Sequence, residues 1–450
     1  MHAHPPATVA LISLGCPKNL VDSERILAQL SEAGFVGPAP VHDADVIVIN
    51  TCGFLASARE EALEVIDEAL HYKASGRADR VVVAGCLVNR DAEDLWRRCP
   101  GIDALLSVDD REGIVQAVAG EGRVTLISGC RGEVGDDRGR FRLTVPHSAY
   151  VRIAEGCSRG CTFCTIPAIR GPFRSKPRQQ VLDECRELLA DGAVELNLIA
   201  QDTTCWGRDL DPPGHLAELI AEVDALAGLH WGRLMYAYPN RFDDRLIEAL
   251  GSAEHFAPYV DMPLQHIADP VLRAMGRGCD RKQTVERLDR MREGIPGLAL
   301  RTTFIVGFPG ETEAHFRELL AFVQDQQFQA VGVFAFSPEE GTPAAEMGSV
   351  VPHARAVERA EQLMETQLDI VRSANARAVG STVEVLVDGQ DEDGAVIARH
   401  AGQAPEIDGV CLLDCDSAPA AGSLIDAEVV DFDDYDLILR PQQPPHPQSR

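Results

Sequence analysis

At 450 residues the chain is long enough for two to four domains, each with its own core. Its 45% hydrophobic and 25% charged content is that of an ordinary globular protein, and a formal net charge of −28 argues against a generic nucleic-acid binder, because phosphate contacts need basic surface. No apolar run approaches the roughly 18 residues of a membrane span. Met1 to Pro6 carries no basic stretch followed by an apolar one, so the chain reads as cytoplasmic. Thirteen cysteines in that reducing compartment point to metal ligands and buried bystanders rather than disulfides.

The first third repeats one pattern. Thr8 to Cys16, Asp45 to Cys52 and Arg80 to Cys86 are short apolar, β-branched runs that each end in a cysteine. Such runs suit parallel strands covered on both faces. Helical periodicity over Asp22–Ala33 and Ser57–Tyr72 separates them, which predicts βαβ repetition and a doubly wound parallel sheet over residues 8–127. Parallel strands end on one edge, and ligands gather outside those carboxyl ends. Cys16, Cys52 and Cys86 are therefore expected to converge on one metal group; three small residues closing three strands is the plainer alternative. Gly15-Cys16-Pro17-Lys18-Asn19 reads as a turn-rich loop.

Residues 128–146, rich in Gly, Arg and Asp, read as a linker. Then comes Glu155-Gly-Cys157-Ser-Arg-Gly-Cys161-Thr-Phe-Cys164, spaced Cys-x3-Cys-x2-Cys, with Gly156 and Gly160 expected to let the backbone wrap tightly. Closely spaced thiolates are how one loop ligates an iron–sulfur cluster, and three cysteines for four irons leave one iron open. A zinc loop is the alternative, but structural zinc usually takes four ligands in two pairs, and no partner pair stands nearby.

Six apolar runs, Tyr150–Ala154, Val194–Ala200, Gly232–Tyr236, Tyr259–Met262, Leu298–Val306 and Val331–Phe336, are mostly separated by helical patterns such as Arg178–Asp191 and Glu311–Gln324. They predict a partial (β/α)6 barrel over residues 147–378, with its chemistry at the C-terminal strand ends. Those ends carry Gln201, Asp202 and His266; His266 reads as exposed, with a structural hydrogen bond and a substrate role both open. Arg170 and Arg174 follow the cysteine loop and either pair with a carboxylate or brace the loop, bracing being the reading preferred. Cys99, Cys130, Cys185, Cys205, Cys279, Cys411 and Cys415 lack ligand spacing and read as bystanders.

A long amphipathic helix, roughly Pro352 to Val379, leads into short strands at Ser381–Val387, Ala395–Ala398, Gly409–Asp414 and Leu424–Asp431. These predict a small β-barrel over residues 379–441. Its many acidic side chains face only Arg399 and Arg440. A grip on tRNA needs the opposite sign, whereas an acidic barrel steers a strongly basic protein; a merely solvated acidic surface is the bland alternative. Residues 442–450, rich in Pro and Gln, read as a disordered tail.

The cysteine loop, with Phe163 before its last cysteine, resembles the signature of the radical S-adenosylmethionine (SAM) enzymes. That resemblance implies a [4Fe-4S] cluster on Cys157, Cys161 and Cys164 whose open iron chelates SAM and whose electron releases a 5′-deoxyadenosyl radical. It also makes Gln201 and Asp202 candidate SAM contacts. Ser13-Leu-Gly-Cys-Pro-Lys-Asn-Leu-Val-Asp-Ser-Glu24, Asn50-Thr-Cys-Gly-Phe54 and Ala84-Gly-Cys-Leu87 resemble the N-terminal domain of the methylthiotransferases. There the matching cysteines, here Cys16, Cys52 and Cys86, hold an auxiliary [4Fe-4S] cluster that delivers sulfur. The C-terminal module resembles the TRAM domain that grips the substrate in that family.

Gly15 to Asp22, Asp261-Met-Pro-Leu-Gln-His266 and Pro405-Glu-Ile-Asp-Gly409 resemble the ribosomal-protein branch of that family. That branch adds a methylthio group to the β-carbon of an aspartate in small-subunit ribosomal protein twelve. The implied partners are that basic protein and a low-potential electron donor of flavodoxin or ferredoxin type, with neither membrane nor direct nucleic-acid contact. A tRNA adenosine methylthiotransferase and a non-enzymatic iron–sulfur carrier are the alternatives.

Overall fold

The computed structural model describes residues 7–129 and 133–442, so Cys130 and residues 443–450 of the expected tail lie outside the described residues. Five parallel strands, β1 (Val9–Ser13), β2 (Val46–Thr51), β3 (Arg80–Gly85), β4 (Ala104–Leu106) and β5 (Val124–Leu126), form the first sheet in that order. β4 and β5 are three residues each, too short to show a period in the sequence. Four helices cover the sheet: α1 (Pro17–Glu32), α2 (Ala56–Ala74), α3 (Cys86–Arg98) and α4 (Ile114–Ala119). Ile47, Ile49, Val81 and Val83 pack against α2 and α3, while Val46, Val48, Val82 and Ala84 pack against α1 and α4. The continuous apolar runs thus fill two cores at once.

A strictly sequential strand order would place right-handed crossovers on one face only. The second face is reached through a vestige of a sixth strand. After α1 the chain makes a single parallel bridge, Thr8 to Val36, on the edge of β1 away from β2, and then returns to form β2. The order therefore reverses between β1 and β2, which makes that crevice the switch point where doubly wound sheets bind ligands. α1 also corrects an expectation. Gly15–Asn19 is not all loop, because Pro17 occupies the first helical turn, where its missing N–H costs nothing.

The second sheet has six parallel strands in sequential order: Ser148–Arg152, Glu195–Ile199, Trp231–Leu234, Phe256–Asp261, Ala299–Val306 and Ala330–Ala335. It is an open partial barrel, and the largest apolar core lies between it and its helices. The helix His353–Ala378 then hands over to a closed five-stranded barrel. Its last strand, Asp436–Pro441, pairs with both Cys411–Leu413 and Leu424–Asp433 and completes the closure.

This small barrel seats against the N-terminal ends of the large barrel's strands. Arg399 and Arg233 both pair with buried Glu195, at 2.8 and 3.1 Å, and His147 meets Asp388 at 2.9 Å. The loop 401–408 enters the large barrel from that end, where Tyr259 donates to Asp408 and Ala404 packs with Tyr150, Met235 and Tyr259. Leu20 and Val21 of α1 join the same cluster, so side chains fill the barrel's interior.

Candidate active site

Cys52 and Cys86 follow β2 and β3 directly, and Cys16 follows β1 after Leu14 and Gly15. Cys16 caps α1 and Cys86 opens α3, so the positive ends of two helices face this edge. The turns touch: a Cβ at Gly15 (φ +95°) would lie 2.8 Å from Cys52 Cβ and 3.3 Å from its Sγ. Burial pushes the Cys86 thiol up to about 12, and charge on Cys16 and Cys52 pushes it the same way. Cys16 differs. Burial would raise its thiol, but Lys18 and Arg170 hold it below the ordinary value.

Cys157, Cys161 and Cys164 lie in the loop after the first strand of the large barrel, and charge on Cys161 raises both of its neighbours. Burial takes Cys164 to about 12. Gly156 has φ +76°, and a Cβ there would stand 2.2 Å from the Pro172 carbonyl, so only glycine fits. Gly160 has open space and needs no glycine, contrary to expectation. Arg159 and Arg277 both stack on the loop's neighbour Tyr238, each 4.0 Å from the ring centre, and Arg277 reaches Cys161 Sγ at 3.5 Å.

Among the described residues no cysteine is in a disulfide, and no three His, Cys, Asp or Glu side chains are placed to hold a single metal ion. An iron–sulfur cluster takes its thiolates on separate irons and needs no such single point. Two sets of three soft donors, each with cations beside it, fit such clusters. Zinc would want a fourth ligand.

Arg170 joins the two cysteine loops. It is 2% exposed, donates to Cys86 Sγ at 3.3 Å, and pairs with Glu155 at 3.1 Å and Asp22 at 3.3 Å. Its guanidinium also donates to Asn19 Oδ1. Arg152 meets both of those carboxylates, at 2.8 Å for Glu155 and 2.7 Å for Asp22. Asp137, between the two sheets, receives Arg152, Arg111 and Lys176 and is fully buried. The segment around it is a strap locked by charge. Arg174 braces the same interface through Asp109 at 3.4 Å.

Gln201 donates to Glu155 at 2.7 Å while its amide oxygen is buried without a partner, so it has an acceptor to offer a ligand. Asp202 does not. Arg159, Thr204 and Cys205 all donate to its carboxylate. His266 is corrected from exposed to fully buried; it accepts from Ala268 N and lies 3.5 Å from Glu311, as a structural residue does.

Lys18, Tyr236, Arg159, Tyr238 and Glu339 were not singled out in the sequence. Glu339 is 1% exposed and receives Arg90 at 3.1 Å, Arg59 at 3.4 Å and the amide of Ala56, clasping α2 to the last barrel strand's loop. Arg159 and Lys18, each inside a quoted cysteine motif, carried a local signal; the rest meet through tertiary folding.

Three family models match the chain: Uncharacterized protein family UPF0004 over residues 8–107, the Radical SAM superfamily over 151–323 and the TRAM domain over 379–440. The chain is 44% identical to the ribosomal protein uS12 methylthiotransferase RimO of Anaeromyxobacter sp. strain K, over 96% of this chain and 92% of that one. It is 40% identical to the protein of that name from Geobacter sulfurreducens, over 96% and 97%. Among solved structures, the radical SAM methyltransferase TsrM from Kitasatospora setae superposes with a TM-score of 0.54 at 15% identity, over 86% of this chain and 79% of that one, a likeness of fold.

Proposed function

The chain belongs to the radical SAM family of ribosomal protein uS12 methylthiotransferases, and from that membership we infer that it adds a methylthio group to an aspartate β-carbon of the small-subunit protein uS12. The observation that carries this reading is the pair of three-cysteine sites on facing strand ends, joined by Arg170. Cys157, Cys161 and Cys164 would hold the cluster that binds SAM, and Cys16, Cys52 and Cys86 a second one. When bound, these groups supply the radical that takes hydrogen from an unactivated carbon, and the sulfur and methyl that replace it; no side chain performs that chemistry.

The chain's own residues hold and orient. Arg170 and Arg152 fix the Glu155 carboxylate, which in turn holds the Gln201 amide and leaves its oxygen free to accept from a ligand. Arg159 and Arg277 set positive charge beside the second trio, where anionic cluster and carboxylate both gain from it. Gln201 is the SAM contact we retain. Asp202 acts through Arg159 as a positioning residue.

No helix among the described residues is long and apolar enough to cross a membrane, and a ribosomal substrate sets the reaction in the cytoplasm. The acidic small barrel stands at the end remote from the cysteines, so it draws in a basic partner and contacts it away from the reacting carbon. A low-potential donor of flavodoxin or ferredoxin type completes the system.

The test is anaerobic turnover with uS12 and, separately, tRNA, each analysed for added mass. Methylthiolated uS12 and unchanged tRNA are expected; the reverse result, or no 5′-deoxyadenosine from SAM, sinks the reading. Cys161→Ala should abolish SAM cleavage. Cys52→Ala should retain some 5′-deoxyadenosine yet insert no sulfur, and equal, complete loss in both variants would refute the division of labour.

A further inference from the structure

The Lys18 side chain is 6% exposed, and among the described residues no carboxylate lies within ion-pair distance of its ammonium. Most buried cations in this molecule are paired: Arg111, Arg140, Arg152, Arg170 and Lys176 each meet carboxylates. Lys18 instead lies over the Tyr236 ring, 3.2 Å from its centre. A buried ammonium is normally paired or neutralised, because leaving water is costly. A ring face offsets part of that cost and leaves directions open for an anion.

Its place is also specific. Lys18 follows Cys16 by two residues on the first turn of α1. Tyr236, just past the third barrel strand, has φ +58°, a backbone state unusual for a bulky residue, and its ring meets Lys18 of α1. The ammonium thus spans from the N-terminal trio to the barrel mouth that carries the second trio. Cys16, Cys52, Cys161, Cys164, Gln201, Tyr236 and Gln265 are all partly exposed around this mouth, and Gln265 has a buried amide oxygen without a partner.

We propose that Lys18 is a specificity residue that receives the side-chain carboxylate of the substrate aspartate; this rests on the function inferred above. An aspartate whose β-carbon is to meet both sites brings a full negative charge within two bonds of the reacting atom. That charge must leave water to reach the reacting carbon, and among the described residues Lys18 offers a buried ammonium there without a carboxylate; Arg277, also without one, is taken up by the Tyr238 ring, the Pro263 carbonyl and Cys161. A nucleobase would bring no such charge. Tyr236 holds the ammonium in place, and Asn19, whose amide donates to the carbonyls of Leu14 and Thr51, fixes the turn that carries it.

The experiment measures binding of uS12, and of uS12 with the target aspartate replaced by asparagine, to anaerobically reconstituted full-length protein. Lys18→Met keeps length and ring contact but removes charge; Lys18→Arg keeps charge. The original protein should prefer aspartate by about 10- to 100-fold, the scale of one charge-assisted hydrogen bond. Lys18→Met should lose most of that preference with iron and sulfide content unchanged, and Lys18→Arg should keep part of it. Undiminished preference in Lys18→Met overturns the assignment alone. So does loss of iron from the N-terminal trio in Lys18→Met, which would put the ammonium to work on the cluster. Failure of the unsubstituted protein to bind either form overturns the function it rests on as well.

Discussion

Arg170 shows how one side chain ties two sites into one. Its guanidinium is flat and forked, so it can serve a thiol, an amide oxygen and two carboxylates at once. Arg170→Met should lower unfolding free energy by on the order of 3 kcal/mol, since it leaves buried carboxylates short of a cation. Arg170→Lys should recover only part, as read by denaturant unfolding; full recovery would mean that charge alone matters. Glu155 gives the pH dependence. Burial raises its carboxyl, but Arg170 and Arg152 overcome that and hold it at about 2. A folded value below the unfolded one stabilises the fold above about pH 4.5, and that stability drains away as pH falls toward 2. Glu155→Gln should flatten the acid limb of a stability–pH curve, and an unchanged limb would assign acid sensitivity elsewhere.

Among the elements, the strands and their cysteines were legible because continuous β-branched runs and fixed ligand spacing are local signals. The two three-residue strands were not, nor was Val36, whose single bridge decides which face the helices cover. Pro17 misled for a physical reason: proline marks turns and first helical turns alike. His266 was misplaced because a strand end in a closed mouth can be as dry as a core. The seat of the small barrel was invisible too, since Glu195, Arg233 and Arg399 are far apart in sequence. Glu195→Gln should loosen that seat by removing one charge from between two guanidiniums. Limited proteolysis near residue 380 is expected to quicken while the large barrel stays whole; an unchanged cleavage rate would locate the seat in the 401–408 loop.

For the whole molecule, the net charge of −28 sets the terms of encounter with a basic partner. Raising ionic strength should raise KM for uS12 and leave kcat nearly flat, because the acidic small barrel is remote from the cysteines. A salt effect on kcat of equal size would place charge contacts at the chemistry itself. The filled interior carries a last consequence. With Ala404, Tyr150 and Tyr259 stopping the floor, a segment cannot leave through the end away from the cysteines. A protein segment must come and go from the side of the cysteines. The tip of a protruding segment is therefore the natural guest, whether that tip is a bend or a chain end.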